Sequence, residues 1–284
     1  MSAPDAAPDA AIEVRVLERI ADVSRSEWDA CAGADNPFLC HDFLDALEQS
    51  GSVAADEGWL PRHLAAYDDA GQLAAAMPLY LKGHSQGEYV FDHSWAHAWE
   101  RAGGRYYPKL LSAVPFTPVT GRRMLVRDPD ARPLYEAALA EAMLKLVENS
   151  GVSSLHVNFL TEAESERLAG FGFLERSGQQ YHWKNEGYST FQDFLDALSS
   201  RKRKNIRKER QAVVDQGVAM HILTGPDLKS EHWDAFYRFY RNTTDRKWGW
   251  DYLKRPFFSL LHERMADRVA LVMAEFEGEW VAGA

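Results

Sequence analysis

The sharpest chemical pattern in the chain is Gly83-His84-Ser85-Gln86-Gly87, which fits the G-x-S-x-G nucleophile elbow. That motif works only on a strand–turn–helix, where the serine is thrust out above a sheet. Here the strand-prone Tyr89-Val90-Phe91 follows instead. Ser85 is therefore expected in a polar turn between strands, with a serine hydrolase as the lesser alternative. His93 and His97 are four apart, as in H-E-x-x-H, but Ser94 stands where the glutamate base is needed. Cys40-His41 has no second ligand pair at zinc spacing, so no metal is expected. Asn242-Thr243-Thr244-Asp245-Arg246-Lys247-Trp248-Gly249-Trp250 mixes an acid, two bases and two indoles around a glycine. Such a loop can hold a polar substrate, with Asp245 as acceptor or base, Lys247 as an anion contact and Trp248 beside them. The plainer reading is a tryptophan-anchored corner between helices. Seven of the ten residues from Arg201 to Arg210 are Lys or Arg, within a chain whose net charge is −10. A cationic run on an acidic protein, with Lys204 and Arg207 at its centre, suits an anionic partner such as RNA; a solvated helix face is the competing reading.

These residues need elements to position them. Residues 12–18 alternate as a strand, and residues 62–67 and 72–81 flank Asp68-Asp69-Ala70-Gly71 as a hairpin. Residues 88–91 and 109–114 read as short strands. Asp92, His93 and Lys109 fall in a stretch, residues 92–118, rich in His, Trp, Tyr, Gly and Pro, a poor regular element and a good cleft wall. Residues 132–149 form an amphipathic helix ended by Gly151. Residues 153–159 are a strand, Thr161 caps a helix over 162–169 with Glu164 completing a capping box, and 173–183 are a strand. A single helix is expected from Thr190 to Val214. A strand at 218–223, helices at 226–241 and 252–265, and a hairpin at 268–276 and 279–284 complete the chain.

The chain has 284 residues, room for two ordinary domains, and 46% hydrophobic residues support a core. Two cysteines give no disulfide framework. The N-terminal Pro/Ala-rich, acidic residues 1–11 read as a disordered tail rather than a signal peptide, and no apolar run is long enough to span a membrane. A cytoplasmic location follows as an expectation. The fold class expected is α/β (α+β), a mixed sheet flanked by helices. The two hairpins superpose, with Gly71 over Gly278 and Ala75 over Ala282. The expected organisation is a first domain at 12–187, a basic connecting helix at 188–217, and the start of a second, similar domain at 218–284. The first hairpin is followed by roughly a hundred residues of its domain and the second by none, so the second domain is expected to be cut short.

The strings DHSWAHAW, YYPKLLSAVPFTPVTGRRML, FLDALSSRKRKNIRKER and YRNTTDRKWGWDYLKRPFF resemble a bacterial group of FemAB-like proteins, N-acyltransferases of the GNAT superfamily linked to peptidoglycan biosynthesis or recognition. The resemblance runs over residues 37–284. It implies two tandem GNAT-like domains and transfer of an acyl or aminoacyl group to an amine, with a cell-wall precursor as acceptor and acyl-CoA (acetyl-CoA) or aminoacyl-tRNA as donor. GNAT chemistry needs backbone N–H groups for the thioester carbonyl, a loop that holds pyrophosphate, and a base for the amine. The loop's usual [RQ]-x-x-G-x-[GA] is replaced here by Thr117-Pro118-Val119-Thr120-Gly121-Arg122-Arg123. The candidate cleft residues are Asp92, His93 and Asp245 for catalysis, and Lys109, Thr117, Arg122, Lys204, Arg207, Lys247 and Trp248 for binding. A non-catalytic module that binds RNA or another polyanion through Arg201–Arg210 is the rival reading.

Overall fold

The computed structural model describes residues 12–247, 249 and 251–284, so the expected tail at 1–11 lies outside the described residues. The chain divides into two compact units. One runs to Glu175 and includes Asp251–Met265; the other comprises Arg176–Trp250 and Ala266–Ala284. Both are mixed α/β, sheets flanked by helices. Among the described residues no helix is long and apolar enough to cross a membrane.

The first unit holds two four-stranded sheets. One is antiparallel, in the order β1 (Glu13–Leu17), β3 (His63–Tyr67), β4 (Leu73–Met77), β7 (Leu125–Val126). The other is ordered β2 (Trp59–Pro61), β5 (Tyr80–Lys82), β6 (Lys109–Ser112), β8 (Leu155–Val157), with only the β6–β8 pair parallel. Helix α4 (Arg132–Ser150) starts with a proline in its first turn and stops at Gly151, whose φ of 62° a side chain would resist. It lays Leu139, Ala140 and Met143 on Leu64, Ala66, Ala75 and Met77, closing the core on one side. Helix α1 (Arg25–Ala32) packs on β4 and buries Trp28, whose indole N–H donates to the Leu39 carbonyl at 2.9 Å. Helix α2 (His41–Gln49) packs against α9 (Arg255–Met265), with Phe43 and Phe257 edge to face. Helices α3 (His93–Arg101) and α5 (Glu162–Gly170) complete the unit.

Three expected features take another form. Residues 88–91 are not a strand, because Gly87 and Tyr89 have φ of 77° and 57° and Glu88 is buried. Residues 173–183 are likewise irregular; among the described residues they pair with no strand, and Leu174 and Tyr181 stand in solvent. Thr161 does cap α5 by accepting the Glu164 N–H, but the Glu164 carboxylate turns to Arg123 and Met124 instead of closing a capping box.

In the second unit β9 (Ala219–Thr224), β10 (Ala270–Phe276) and β11 (Glu279–Gly283) form an antiparallel sheet ordered β11-β10-β9. Helix α8 (Ser230–Arg246) packs on β11. The chain runs β1–α1–α2–β2–β3–β4 and later β9–α8–α9–β10–β11; both runs hold a strand, two helices and an antiparallel hairpin with a turn glycine at positive φ, with β2 intervening in the former and α9 belonging to the first unit. The helix expected from Thr190 to Val214 is two helices, α6 (Phe191–Ala197) and α7 (Ser200–Asp215). Leu198 and Ser199 between them take extended ψ of 156° and 148°, and Ser199 is the N-cap of α7.

Candidate functional site

The register of the second sheet of the first unit creates a problem of charge. Lys82 on β5 sits directly across from Lys109 on β6, and Trp59 on β2 sits across from Lys82. Opposed residues of an antiparallel pair point to one face, and like charges there repel. Both lysines are fully buried. The chain answers with the segment after β5, which carries Ser85, Glu88 and Asp92 inward. Lys109 Nζ donates to Asp92 Oδ2 at 2.6 Å, to Ser85 Oγ at 2.8 Å and to Glu88 Oε2 at 2.9 Å. Its three N–H groups are thus all engaged, as an ammonium requires. Tyr106 donates its O–H to the same Asp92 oxygen at 2.8 Å, and Tyr107 O–H and Ser85 Oγ are 2.8 Å apart. Lys82 has thinner support. Its Nζ lies 3.5 Å from the centre of the Trp59 ring and reaches only the Gln86 carbonyl, at 3.4 Å.

Burial alone would raise the Asp92 carboxyl, but the hydrogen bonds from Lys109 and Tyr106 hold it at about 2. Burial raises the Glu88 carboxyl, and Lys109 opposes that only in part. Burial and the Asp92 carboxylate push the Tyr106 phenol well up, so it stays protonated and points its hydrogen at Asp92. Burial pulls the Lys82 ammonium down to about 7. One oxygen each of Glu88 and Asp92 is buried without a protein partner among the described residues.

Tyr106 also forms a wall of a cavity of about 610 Å3. Its other walls are Ser94, Trp95 and Trp99 on α3, and Ser154 and His156 at β8. His156 is in register with Leu111, two residues beyond Lys109, so its side chain is on the lysine face of the sheet. Its Nε2 is 3.0 Å from Ser154 Oγ. The buried charges thus meet the cavity through one phenol.

The structure brings Asp92 and Lys109 together and puts His93 at the exposed first position of α3, next to Ser94 of the cavity wall. Ser85 lies in a turn with no helix behind it until α3, and its oxygen serves Lys109. Thr117 and Arg122 are half-buried and bond to carbonyls of Pro115 and Ala32, at 3.1 and 2.9 Å. The loop they belong to is folded around a cation. Arg123, fully buried, donates to the carbonyls of Val119, Gly121, Arg122 and Asn158 at 2.6 to 3.1 Å. The N–H groups of Arg123 and Met124 go to the buried Glu164 carboxylate. A pyrophosphate cradle presents N–H groups outward, whereas this loop turns its carbonyls inward.

In the second unit Lys204 is exposed on α7, while Arg203, Arg207 and Arg210 share one face of that helix and reach back to α6. Arg203 pairs with Asp196 at 3.1 Å, Arg207 donates to Gln192 at 3.0 Å, and Arg210 lies over Phe191 at 4.2 Å. Asp245, at the end of α8, is exposed and 3.8 Å from Arg241, and Lys247 is exposed beyond it. Trp248 lies outside the described residues. The sequence reading passed over Lys82, Glu88, Tyr106 and His156. A period-2 count on 153–159 would have set His156 apart, but the pairing of Lys82 with Lys109 appears only once the strands are in register.

A family model described as FemAB-like, peptidoglycan biosynthesis/recognition, matches residues 19–284. No curated protein matches the chain. Among solved structures, the aminoglycoside antibiotic 6'-N-acetyltransferase AAC(6')-Ih from Acinetobacter baumannii aligns at 17% identity and a TM-score of 0.36, covering 62% of this chain and 99% of its own. L-PGS from Bacillus licheniformis aligns at 13% identity and a TM-score of 0.37 over 87% of this chain; the chain spans 60% of that protein's length.

Proposed function

The chain belongs to the FemAB-like family, and we propose that it is a transferase that moves an acyl or aminoacyl group to an amine acceptor held in the cavity beside Tyr106. The observation that carries this reading is the coupling of an open, uncharged cavity to a buried Lys109–Asp92–Glu88 cluster through a single phenol. A buried charge cluster of that cost is weak support for stability, and groups perturbed in this way cluster at functional sites.

The roles follow from who holds which proton. Lys109 has no lone pair free, and Asp92 is ionised with its Oδ2 already accepting from Lys109 and Tyr106, so these two act as positioning residues. Tyr106 gives its hydrogen to Asp92 and keeps lone pairs free, so its oxygen accepts an N–H of the incoming amine and orients it. The amine must lose a proton as it attacks the acyl carbonyl. His156, in the cavity wall, is the proposed base, and His93 at the rim of α3 is the second candidate. Ser85 serves Lys109 and carries no nucleophilic step in this reading. Asp245, Lys247 and Trp248 remain proposed contacts of the second unit.

The donor is acyl-CoA or aminoacyl-tRNA. The inward carbonyls of the loop at 117–123 support a donor held elsewhere than in that loop. The exposed Arg201, Lys202, Lys204 and Lys208 of α7 suit the phosphates of an RNA donor. A cell-wall precursor bearing an amine is the proposed acceptor class.

The test is transfer from radiolabelled acetyl-CoA, and separately from a charged tRNA pool, to a panel of amines, read by mass spectrometry. Tyr106→Phe and His156→Ala are each expected to lower the rate by about a hundredfold or more while leaving the fold intact. Full activity in both variants would refute the placement of the acceptor in this cavity.

A further inference from the structure

The cavity beside Tyr106 has a lining that narrows what it takes. Trp95 and Trp99 are one turn apart on α3, and both remain more than half exposed, at 59% and 55%. Large apolar rings left in solvent on one helix face mark a contact surface. Between them Ala98 leaves the space open. Trp99 is seated in advance, because its indole lies against Gly104, where any added Cβ would run into the ring. The hydroxyl of Ser94 on the same helix, those of Ser153 and Ser154, and the imidazole of His156 complete the lining.

Among the described residues no Lys, Arg, Asp or Glu lines the cavity, and neither does Leu, Ile, Val or Phe. The missing cations leave nothing for a phosphate or carboxylate. The missing aliphatics leave no channel for a long acyl chain. A volume of about 610 Å3 exceeds what a lone ammonium in an aromatic cage would fill. Two indoles beside small hydroxyls and an imidazole match a ring that is apolar across its C–H face and hydroxylated at its edge.

We infer that this cavity binds a neutral sugar ring, stacked by its C–H face on Trp99 and Trp95 and hydrogen-bonded at its edge by Ser94, Ser154 and His156. The inference deepens the proposal above, since it names the part of the amine acceptor held there. The amine itself, on the sugar or on a group attached to it, faces Tyr106.

The test uses the intact chain with glucose, N-acetylglucosamine and their β-1,4-linked disaccharides as probes. Tryptophan fluorescence gives the affinity, and saturation-transfer NMR gives the protons in contact. Saturable binding in the millimolar range is expected, with strongest saturation at ring C–H protons. Trp99→Ala should weaken it about tenfold, the order of an aromatic contact. Ala98→Trp, which fills the cavity while leaving both indoles in place, should abolish it. Thermal unfolding of each variant within a few degrees of the parent shows that the fold survives. The inference falls if no probe saturates below about 100 mM, if both variants bind as the parent does, or if adenosine or choline competes better than every sugar. Sugar binding without any amine acylation would sink the transferase reading and leave this one standing. Acylation of simple amines with no sugar binding would do the reverse.

Discussion

Lys82→Met tests the electrostatic reasoning most directly. Lys82 is fully buried, lies 3.5 Å over Trp59, has one long hydrogen bond and faces a second lysine across the strand pair. Burial lowers its pKa from 10.5 to about 7, and the Glu88 carboxylate offsets this only in part. At about 1.4 kcal/mol per pH unit, the native state disfavours the ammonium by about 5 kcal/mol relative to the unfolded chain. The folded pKa is lowered, so between about pH 7 and 10.5 the unfolded chain binds the extra proton and stability rises with pH. Below that window the lysine is charged in both states and the native state carries the whole penalty. The Trp59 contact works against the penalty by up to about 2 kcal/mol, too little to cancel it. Methionine keeps the length and the apolar contact with the indole and removes the charge. The variant should therefore be more stable than the parent by about 2–4 kcal/mol near pH 6. The gain should shrink above about pH 7 and nearly vanish by about pH 10, where the parent amine is neutral. Urea denaturation at several pH values, compared through midpoints at constant m, measures it. A variant less stable than the parent by more than about 1 kcal/mol near pH 6 would show that the cation–π contact dominates and that the argument is wrong.

Lys109→Met should destabilise by about 3–5 kcal/mol in the same assay, since it strands the carboxylates of Glu88 and Asp92; adding Asp92→Asn and Glu88→Gln should recover part of that, and no recovery would mean the loss is one of packing. Ser85→Ala should cost about 1–3 kcal/mol through the lost Lys109 partner and change transfer rates only a few-fold; a thousandfold loss of turnover would revive the hydrolase. Replacing Arg201, Lys202, Lys204 and Lys208 by Gln should flatten the salt dependence of tRNA binding and leave the α6–α7 contacts intact; filter binding that shows no salt dependence in the parent would leave the basic run as a solvated face. Glu164→Ala should raise hydrogen exchange at Arg123 and Met124, whose N–H groups lose their acceptor, and unchanged protection there would contradict the account of the loop.

Local pattern carried much of the fold. The hairpin of β3 and β4, helix α4 with its glycine stop, and the Thr161 cap are written in periods and end signals that need no distant partner. The departures lie where distant contacts decide. Residues 88–91 are strand-prone in composition, yet the demand of Lys109 for Glu88 and Asp92 bends them out of any ladder. Residues 173–183 alternate adequately, but a strand without a neighbour has no ladder to join. The basic run continued a helical period across Leu198 and Ser199, and the break exists because Arg203, Arg207 and Arg210 fold back on α6.

The candidate site shows the same division at the level of single side chains. Asp92 and Lys109 stood out because their stretch could not be explained as a regular element, and the structure places them 2.6 Å apart. What that stretch could not reveal is why the lysine is tolerable there. The answer lies in the register of β2, β5 and β6, which stacks Trp59, Lys82 and Lys109 on one face and so requires two acids and a serine from a single short segment. Lys109 takes all three of them, which leaves Lys82 with an aromatic ring and a distant carbonyl. The two lysines therefore divide the work. One is fixed as a cation and, through Asp92, fixes the hydrogen of Tyr106 at the cavity wall. The other is left poised to lose its proton near neutral pH. In the proposed reaction the charge of the cluster behind Tyr106 therefore varies near neutral pH through Lys82. Lys82→Met should accordingly change the part of the pH dependence of transfer near 7 that comes from Lys82, and an unchanged pH profile in that variant would separate Lys82 from the proposed reaction.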